Sequence, residues 1–298
     1  MLIRSEKSFQ ASLLLLITAV IWGGGFVAQR LAMQQLGPFL FNGFRFSLGA
    51  LTLAPVLLLR KRQARTVPVA WQKTIPVGVT AGLFLFFGAT FQQLGLVYTT
   101  AGKAGFITGL YVIIVPILGM FWGDRAPLGT WVGALLAVGG LYFLSVSPGF
   151  QIAPGDGYEL LGAFFWAGHV QWIAKYSPRM DPFQISFVQA IFTSLLSFGT
   201  GFLLETYDPA ALMSAFWLIV YGGVVSIGIA YTMQVIGQQV AKPTPAAILL
   251  SMESVFAAFL GWFFLREALT PRVLAGCGLM LAGMILSQSW DGKARHEG

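Results

Sequence analysis

TIPVGVTAGLFLFFGATFQQLGLVYTTAG, residues 74–102, decides the fold class. No charged side chain interrupts it from Thr74 to Gly102. About 20 mostly apolar residues in a helix suffice to cross a bilayer. Residues 126–155 and 209–241 are also uncharged throughout. Over all 298 residues, 56% are apolar, 14% aromatic and 10% charged. A soluble domain carries about 25% charged residues. The composition therefore excludes a soluble globular enzyme, a disordered chain and a disulfide-rich secreted domain. With 26 Phe and 36 Gly it reads as an all-α integral membrane protein, since Gly is more frequent in membrane helices than in soluble ones.

Turn residues and loop charges divide the chain into ten spans, at 10–29, 38–59, 75–98, 103–122, 129–147, 158–176, 182–203, 213–238, 244–265 and 271–289. The first is longer than the apolar core of a signal peptide and lacks a small-x-small cleavage site, so it reads as a transmembrane helix. Pro38, Pro182 and Pro271 stand at helix starts, where the missing N–H costs nothing. Thr270 is the expected N-cap of the last helix. Ser147-Pro148-Gly149, continuing to Gly157, forms the central linker.

The loops carry an asymmetric charge. With the N-terminus inside, inner segments hold thirteen Lys and Arg residues, while the outer loops hold four, Arg30, Lys103, Arg266 and Arg272. Arg45 lies within a span. Cytoplasmic loops are the basic ones, so both termini are expected in the cytoplasm of a bacterial inner membrane. The net charge of +7 is thus a topology signal, with no concentrated patch for nucleic acid. Cys277, the single cysteine, excludes an intrachain disulfide and a cysteine-cluster metal site.

The two halves, 1–148 and 149–298, resemble each other. Ile21-Trp22-Gly23 matches Phe165-Trp166-Ala167, and the same offset aligns Pro38 with Pro182. With small shifts Gln92 and Gly95 align with Gln234 and Gly237, Asp124 with Glu267, Gly133 with Gly276 and Gly140 with Gly283. Each half holds five spans, an odd number, so the second must enter the membrane in the opposite sense. Two inverted five-helix repeats are typical of secondary transporters, whose substrate sites lie near the midplane between the repeats.

Three stretches resemble the EamA family of the drug/metabolite transporter superfamily. They are Leu94-Gly95-Leu96-Val97-Tyr98-Thr99-Thr100-Ala101-Gly102-Lys103-Ala104, then Ser251-Met252-Glu253-Ser254-Val255-Phe256-Ala257-Ala258 followed by Arg266-Glu267, and the glycine pairs seven apart in spans 5 and 10. The resemblance covers nearly the whole chain as two units. It implies ten helices with both ends cytoplasmic, spans 1–4 and 6–9 around a central cavity, and spans 5 and 10 outside it. It also implies export of amino acids or other metabolites.

Glu253 sits midway along span 9, where ionisable groups are functional by default. It is a candidate for proton exchange during transport, or for a hydrogen bond that ties helices together. Lys103 opens span 4 and either attracts an anionic group of the substrate or snorkels to the interface. Arg45 reaches the cavity or bonds to carbonyls and loop groups. Trp166 and His169 share one face of span 6, Trp22 is the repeat mate of Trp166, and Tyr111 aligns with Glu253. With Gln92, Tyr231 and Gln234 they would form an aromatic cavity with a few polar groups, suited to an amphipathic small molecule. Asp124 and Glu267 read as helix-start or short-loop residues. Gly133, Ala134, Ala137, Gly140, Gly276, Gly278, Ala282 and Gly283 read as helix-packing positions, with homodimerisation through spans 5 and 10 left open.

Neither a phosphate-binding Gly-Lys-Ser/Thr loop nor HExxH occurs, His296 lies in the polar tail, and the carboxylates are too scattered for a metal cluster. No cofactor and no enzymatic activity are expected. The reading is a secondary transporter, exporting a small amphipathic metabolite such as an amino acid by alternating access, with protons as one choice of coupling ion. A channel or an integral-membrane enzyme is the alternative for the same architecture.

Overall fold

The computed structural model describes residues 2–62, 71–99, 101–124, 126–146, 152–265 and 269–294. Residues 63–70, Thr100, Arg125, Ser147-Pro148-Gly149 of the linker, Arg266, Glu267, Arg295 and His296 lie outside them. Every regular element among the described residues is a helix. In chain order they are α1 (Leu2–Ala32), α2 (Pro38–Arg62), α3 (Trp71–Tyr98), α4 (Ala101–Gly109), α5 (Tyr111–Phe121), α6 (Leu128–Ser145), α7 (Pro154–Tyr176), α8 (Pro182–Leu204), α9 (Pro209–Ser214), α10 (Phe216–Val220), a π-helical segment (Tyr221–Tyr231), α11 (Thr232–Gln238), α12 (Pro243–Ser251), α13 (Glu253–Leu265) and α14 (Pro271–Ala294).

Among the described residues, eight helical stretches are long and apolar enough to cross a membrane, and α6 adds a shorter apolar helix, Leu128–Leu144. At 23 residues α7 is as long as most of them. It falls outside the eight because Asp156, Glu159, His169 and Gln171 dilute its apolar run. Large apolar side chains such as Leu51, Leu58, Leu195, Phe202 and Phe263 point outward. In water such a surface would be an aggregation liability; against lipid it is the required one.

Local chemistry explains the helix starts. The Asp181 carboxylate accepts from the N–H groups of Phe183 and Gln184 at the head of α8, and Thr270 accepts from Val273 at 3.3 Å at the head of α14. The cap of α2 is long-range. Glu205 accepts from Phe39 and Leu40 at 2.9 and 2.8 Å, an acid placed on the positive end of the helix.

Helix contacts respect the repeat. Helix α3 packs on α7 and α8, as the π-helical segment packs on α1 and α2. Helix α4 packs on α7 as α12 packs on α1, α5 packs on α7 as α13 packs on α1, and α2 meets α8 while α6 meets α14. Exchanging the halves maps these pairs onto one another. The α6–α14 contact runs through the paired glycines. A Cβ on Gly133 would lie 2.7 Å from the Gly283 carbonyl oxygen, and one on Gly140 would lie 2.6 Å from that of Gly276. These glycines are therefore used within the chain. Gly278, also expected to pack, instead faces open space.

Three expected spans are not continuous helices. Span 4 breaks at Leu110, between α4 and α5, and span 9 breaks at Met252, between α12 and α13. Span 8 is α10, the π-helical segment and α11. Hydropathy reads only the apolarity of a run and is blind to a change of hydrogen-bond register within it. The breaks at Leu110 and Met252 occupy matching places, each immediately before one of the aligned residues Tyr111 and Glu253.

Candidate functional site

The interruptions bring backbone turns and polar side chains to one place. Tyr111 begins α5, Glu253 begins α13, and Ser226 and Tyr231 lie on the π-helical segment. π-Helical backbone is rare and occurs frequently at functional sites. Helix α1 approaches closely because Gly23 has no side chain, for a Cβ there would lie 2.7 Å from the Glu253 carbonyl oxygen. Gly88 on α3 likewise leaves room for the Trp166 indole.

Together these elements enclose a cavity of about 50 Å³. Trp22, Gln92, Tyr111, Trp166, His169, Tyr231, Gln234 and Glu253 all line it. Lys103 does not. Its ammonium pairs with Asp156 at 2.7 Å, at the start of α7, and Asp156 also accepts from Thr99 at 2.9 Å. Asp156 precedes the sixth span. Burial pushes its carboxyl up, but Lys103, the Ala153 N–H and the Thr99 hydroxyl outweigh that and hold it below the usual carboxylate range. Lys103 is thus a closing contact for α4 and α7 and does not reach the cavity.

Tyr231 is the centre of the aromatic wall. Its ring lies 4.7 Å from Trp22, 6.3 Å from Trp166 in a stacked arrangement, and 6.0 Å from His169 edge to face. Behind it runs an amide network. Trp166 Nε1 donates to Gln92 Oε1 at 3.0 Å, and Gln92 Nε2 donates to Gln29 Oε1 at 3.3 Å. Gln93 and Arg45 donate to that same Gln29 oxygen, Arg45 from 3.0 Å. Nε2 of His169 shares a 3.1 Å hydrogen bond with Gln189.

Arg45, Gln29, Thr108, Ser226, Phe26, Val170 and Leu250 complete the lining. Arg45 is 4% exposed, bonded to Asn42 and Gln29 and flanked by the rings of Phe41 and Phe46. Among the described residues no carboxylate pairs with it. Glu253 is 5% exposed, and no hydrogen bond to its carboxylate occurs among the described residues. Four further lining atoms, Trp22 Nε1, Tyr111 O–H, His169 Nδ1 and Gln234 Oε1, are buried without a partner. Native interiors satisfy nearly all such groups, so their convergence on one cavity makes it the candidate site. Gln29 and Thr108 escape a sequence reading because polar residues near span ends are unremarkable. The available signal for Gln29 was its place two turns beyond Trp22 on the same face of α1.

A second cavity of about 240 Å³ is lined by Gln171, Thr130, Thr244, Lys242 and Asp124, the last of these expected as a short-loop residue. Among the described residues no group of three or more His, Cys, Asp or Glu could hold a metal ion.

The profile of the EamA-like transporter family matches residues 10–146 and again residues 153–288. The chain belongs to the EamA-like transporter family. This EamA-like protein is 32% identical over 281 residues to an uncharacterized transporter of Archaeoglobus fulgidus, covering 94% of this chain and 86% of that one. It is 26% identical over 292 residues to a probable amino-acid metabolite efflux pump of Salmonella typhimurium, covering 92% and 93%. A crystal structure superposes with a TM-score of 0.77 at 20% identity, covering 93% of this EamA-like chain and 98% of the other. That likeness concerns the fold. The protein is a multi-pass membrane transporter with a small-molecule substrate.

Proposed function

We propose that the protein is a secondary carrier that exports a small amphipathic metabolite of the α-amino-acid class from the cytoplasm by alternating access. The observation that carries this reading is the lining of the central cavity. The Arg45 guanidinium and the Glu253 carboxylate face one space without pairing with each other. They complement a carboxylate and an ammonium, and Trp22, Trp166 and Tyr231 offer apolar area for a side chain. A cavity of about 50 Å³ admits no such molecule, whereas ligand pockets measure roughly 300–1,000 Å³. The small volume supports a carrier, whose helices move apart to admit the substrate, over a standing pore. The breaks at Leu110 and Met252 supply hinge positions beside the site, as discontinuous helices do in other transporters.

In this reading the chain crosses the inner membrane ten times with both termini cytoplasmic. The repeats divide at residues 148 and 149, and the second is inverted relative to the first. The name of the Salmonella relative supports the amino-acid class and the export direction. Glu253 and His169 are the proposed coupling groups in the cavity.

The test is uptake of a labelled amino-acid panel into proteoliposomes, with and without a pH gradient. Saturable uptake of at least one amino acid is expected, weakened by both Arg45→Gln and Glu253→Gln. Loss of the gradient response in Glu253→Gln makes it the coupling acid. An equal response in both proteins removes that role. Uptake that never saturates argues for a channel and overturns the carrier reading.

A further inference from the structure

A second buried carboxyl stands outside the cavity wall. Glu159, one turn beyond Asp156 on α7, has no exposed surface. The Thr108 hydroxyl donates to its Oε2 at 2.9 Å, and its Oε1 has no partner. The carboxyl occupies the space left by Gly95, since a Cβ there would collide with it. Asp156 lies on its own helix, Gly95 comes from α3 with Thr99 just beyond its end, and Thr108 and Lys103 come from α4. Two carboxyls thus share a neighbourhood with one cation, and Lys103 is engaged with Asp156. Among the described residues no ion pair reaches Glu159.

An ionised carboxylate buried without a counter-charge is strongly disfavoured. A neutral acid in the same packing leaves its O–H without an acceptor, a smaller cost than leaving a buried charge uncompensated. The closed arrangement of α3, α4 and α7 therefore fits the protonated acid. Thr108 also lines the central cavity, so one residue borders both Glu159 and the space where a substrate would sit.

We propose that Glu159 is a proton-binding site on the outer side of the cavity, and that α3, α4 and α7 close over the cavity only when it is protonated. When their outer ends part, water reaches the carboxyl and the proton leaves to that side. Closure requires a proton to be taken up again. This rests on the carrier reading and on the cytoplasmic placement of the termini.

Two measurements test it. In the first, the purified protein in lipid, with no substrate added, is titrated while its infrared spectrum is recorded. A protonated-carboxyl stretch that fades as pH rises is expected, lost in Glu159→Gln and kept in Glu253→Gln. Thr108→Val retains the carboxyl without its hydrogen bond and is expected to shift the band, with Thr108→Ser restoring it. Titrating bands unchanged in Glu159→Gln overturn the proposal. In the second, labelled amino acids are followed in proteoliposomes. Glu159→Gln is expected to keep counterflow without a gradient and to lose the dependence of exchange on the pH of the outer compartment. Dependence on outer pH equal to that of the unmodified protein overturns the proposal. If no amino acid moves in the unmodified protein, the substrate reading fails, and the infrared titration still decides Glu159.

Discussion

Trp166 bridges the two chemistries of the cavity, because its ring stacks on Tyr231 while its Nε1 anchors the Gln92 amide. The two parts separate by mutation. Trp166→Phe keeps an aromatic surface and frees Gln92, so substrate affinity falls about fivefold, the equivalent of one net hydrogen bond of roughly 1 kcal/mol. Trp166→Ala also removes the stacking surface and falls further. Half-saturation constants in proteoliposomes check both. A larger loss in the Phe variant than in the Ala variant contradicts this division. Arg45 and Glu253 belong to the same scale. A hydrogen bond to a charged group is worth about 1.5–3 kcal/mol, so Arg45→Gln or Glu253→Gln weakens binding roughly ten- to hundredfold.

At the scale of the elements, α6 and α14 depend on backbone approaching backbone. A Cβ on Gly276 would lie 2.7 Å from the Gly140 carbonyl oxygen, whereas one on Gly278 meets nothing within 4 Å. Gly276→Leu therefore forces the helices apart at a cost of about 1–3 kcal/mol, and thermal unfolding in detergent occurs at lower temperature. Gly278→Ala leaves the midpoint unchanged or raises it slightly, since Ala has the higher helix propensity. Equal shifts in the two variants exclude the glycine contact as the cause. Because α6 and α14 contribute no residue to the central cavity, half-saturation in Gly278→Ala stays at its original value.

At the scale of the molecule, the loop charges predict which ends face the cytoplasm. Gln35, between α1 and α2, and Pro178, between α7 and α8, are both exposed. In a Cys277→Ala background, a membrane-impermeant thiol reagent applied to intact cells is expected to label Gln35→Cys. Pro178→Cys reacts only after the membrane is opened. The reverse pattern inverts the topology and places Glu159 on the cytoplasmic side. The small cavity also predicts motion, because opening must enlarge it severalfold to reach the volume of an ordinary ligand site.

The chain's apolar runs, its proline-marked helix starts and its doubled pattern were legible along the sequence, because hydropathy, turn chemistry and repetition are local or periodic properties. Trp22 and Trp166 could be paired by their equal positions in the halves, and Tyr111 with Glu253 by alignment. Other features depend on residues distant in the chain. Nothing near Lys103 announces Asp156, Glu205 caps a helix from the opposite half, and Gly95 makes room for Glu159 across a helix interface. The breaks at Leu110 and Met252 were equally hidden, since an apolar run reads alike whether its hydrogen bonds are continuous or shifted. The sequence by itself determined a helical, twofold-repeated membrane transporter. Only the tertiary structure decided which polar groups lose their partners around one cavity and which carboxyl, among the described residues, is left without a cation, because charge compensation is a property of packed neighbours.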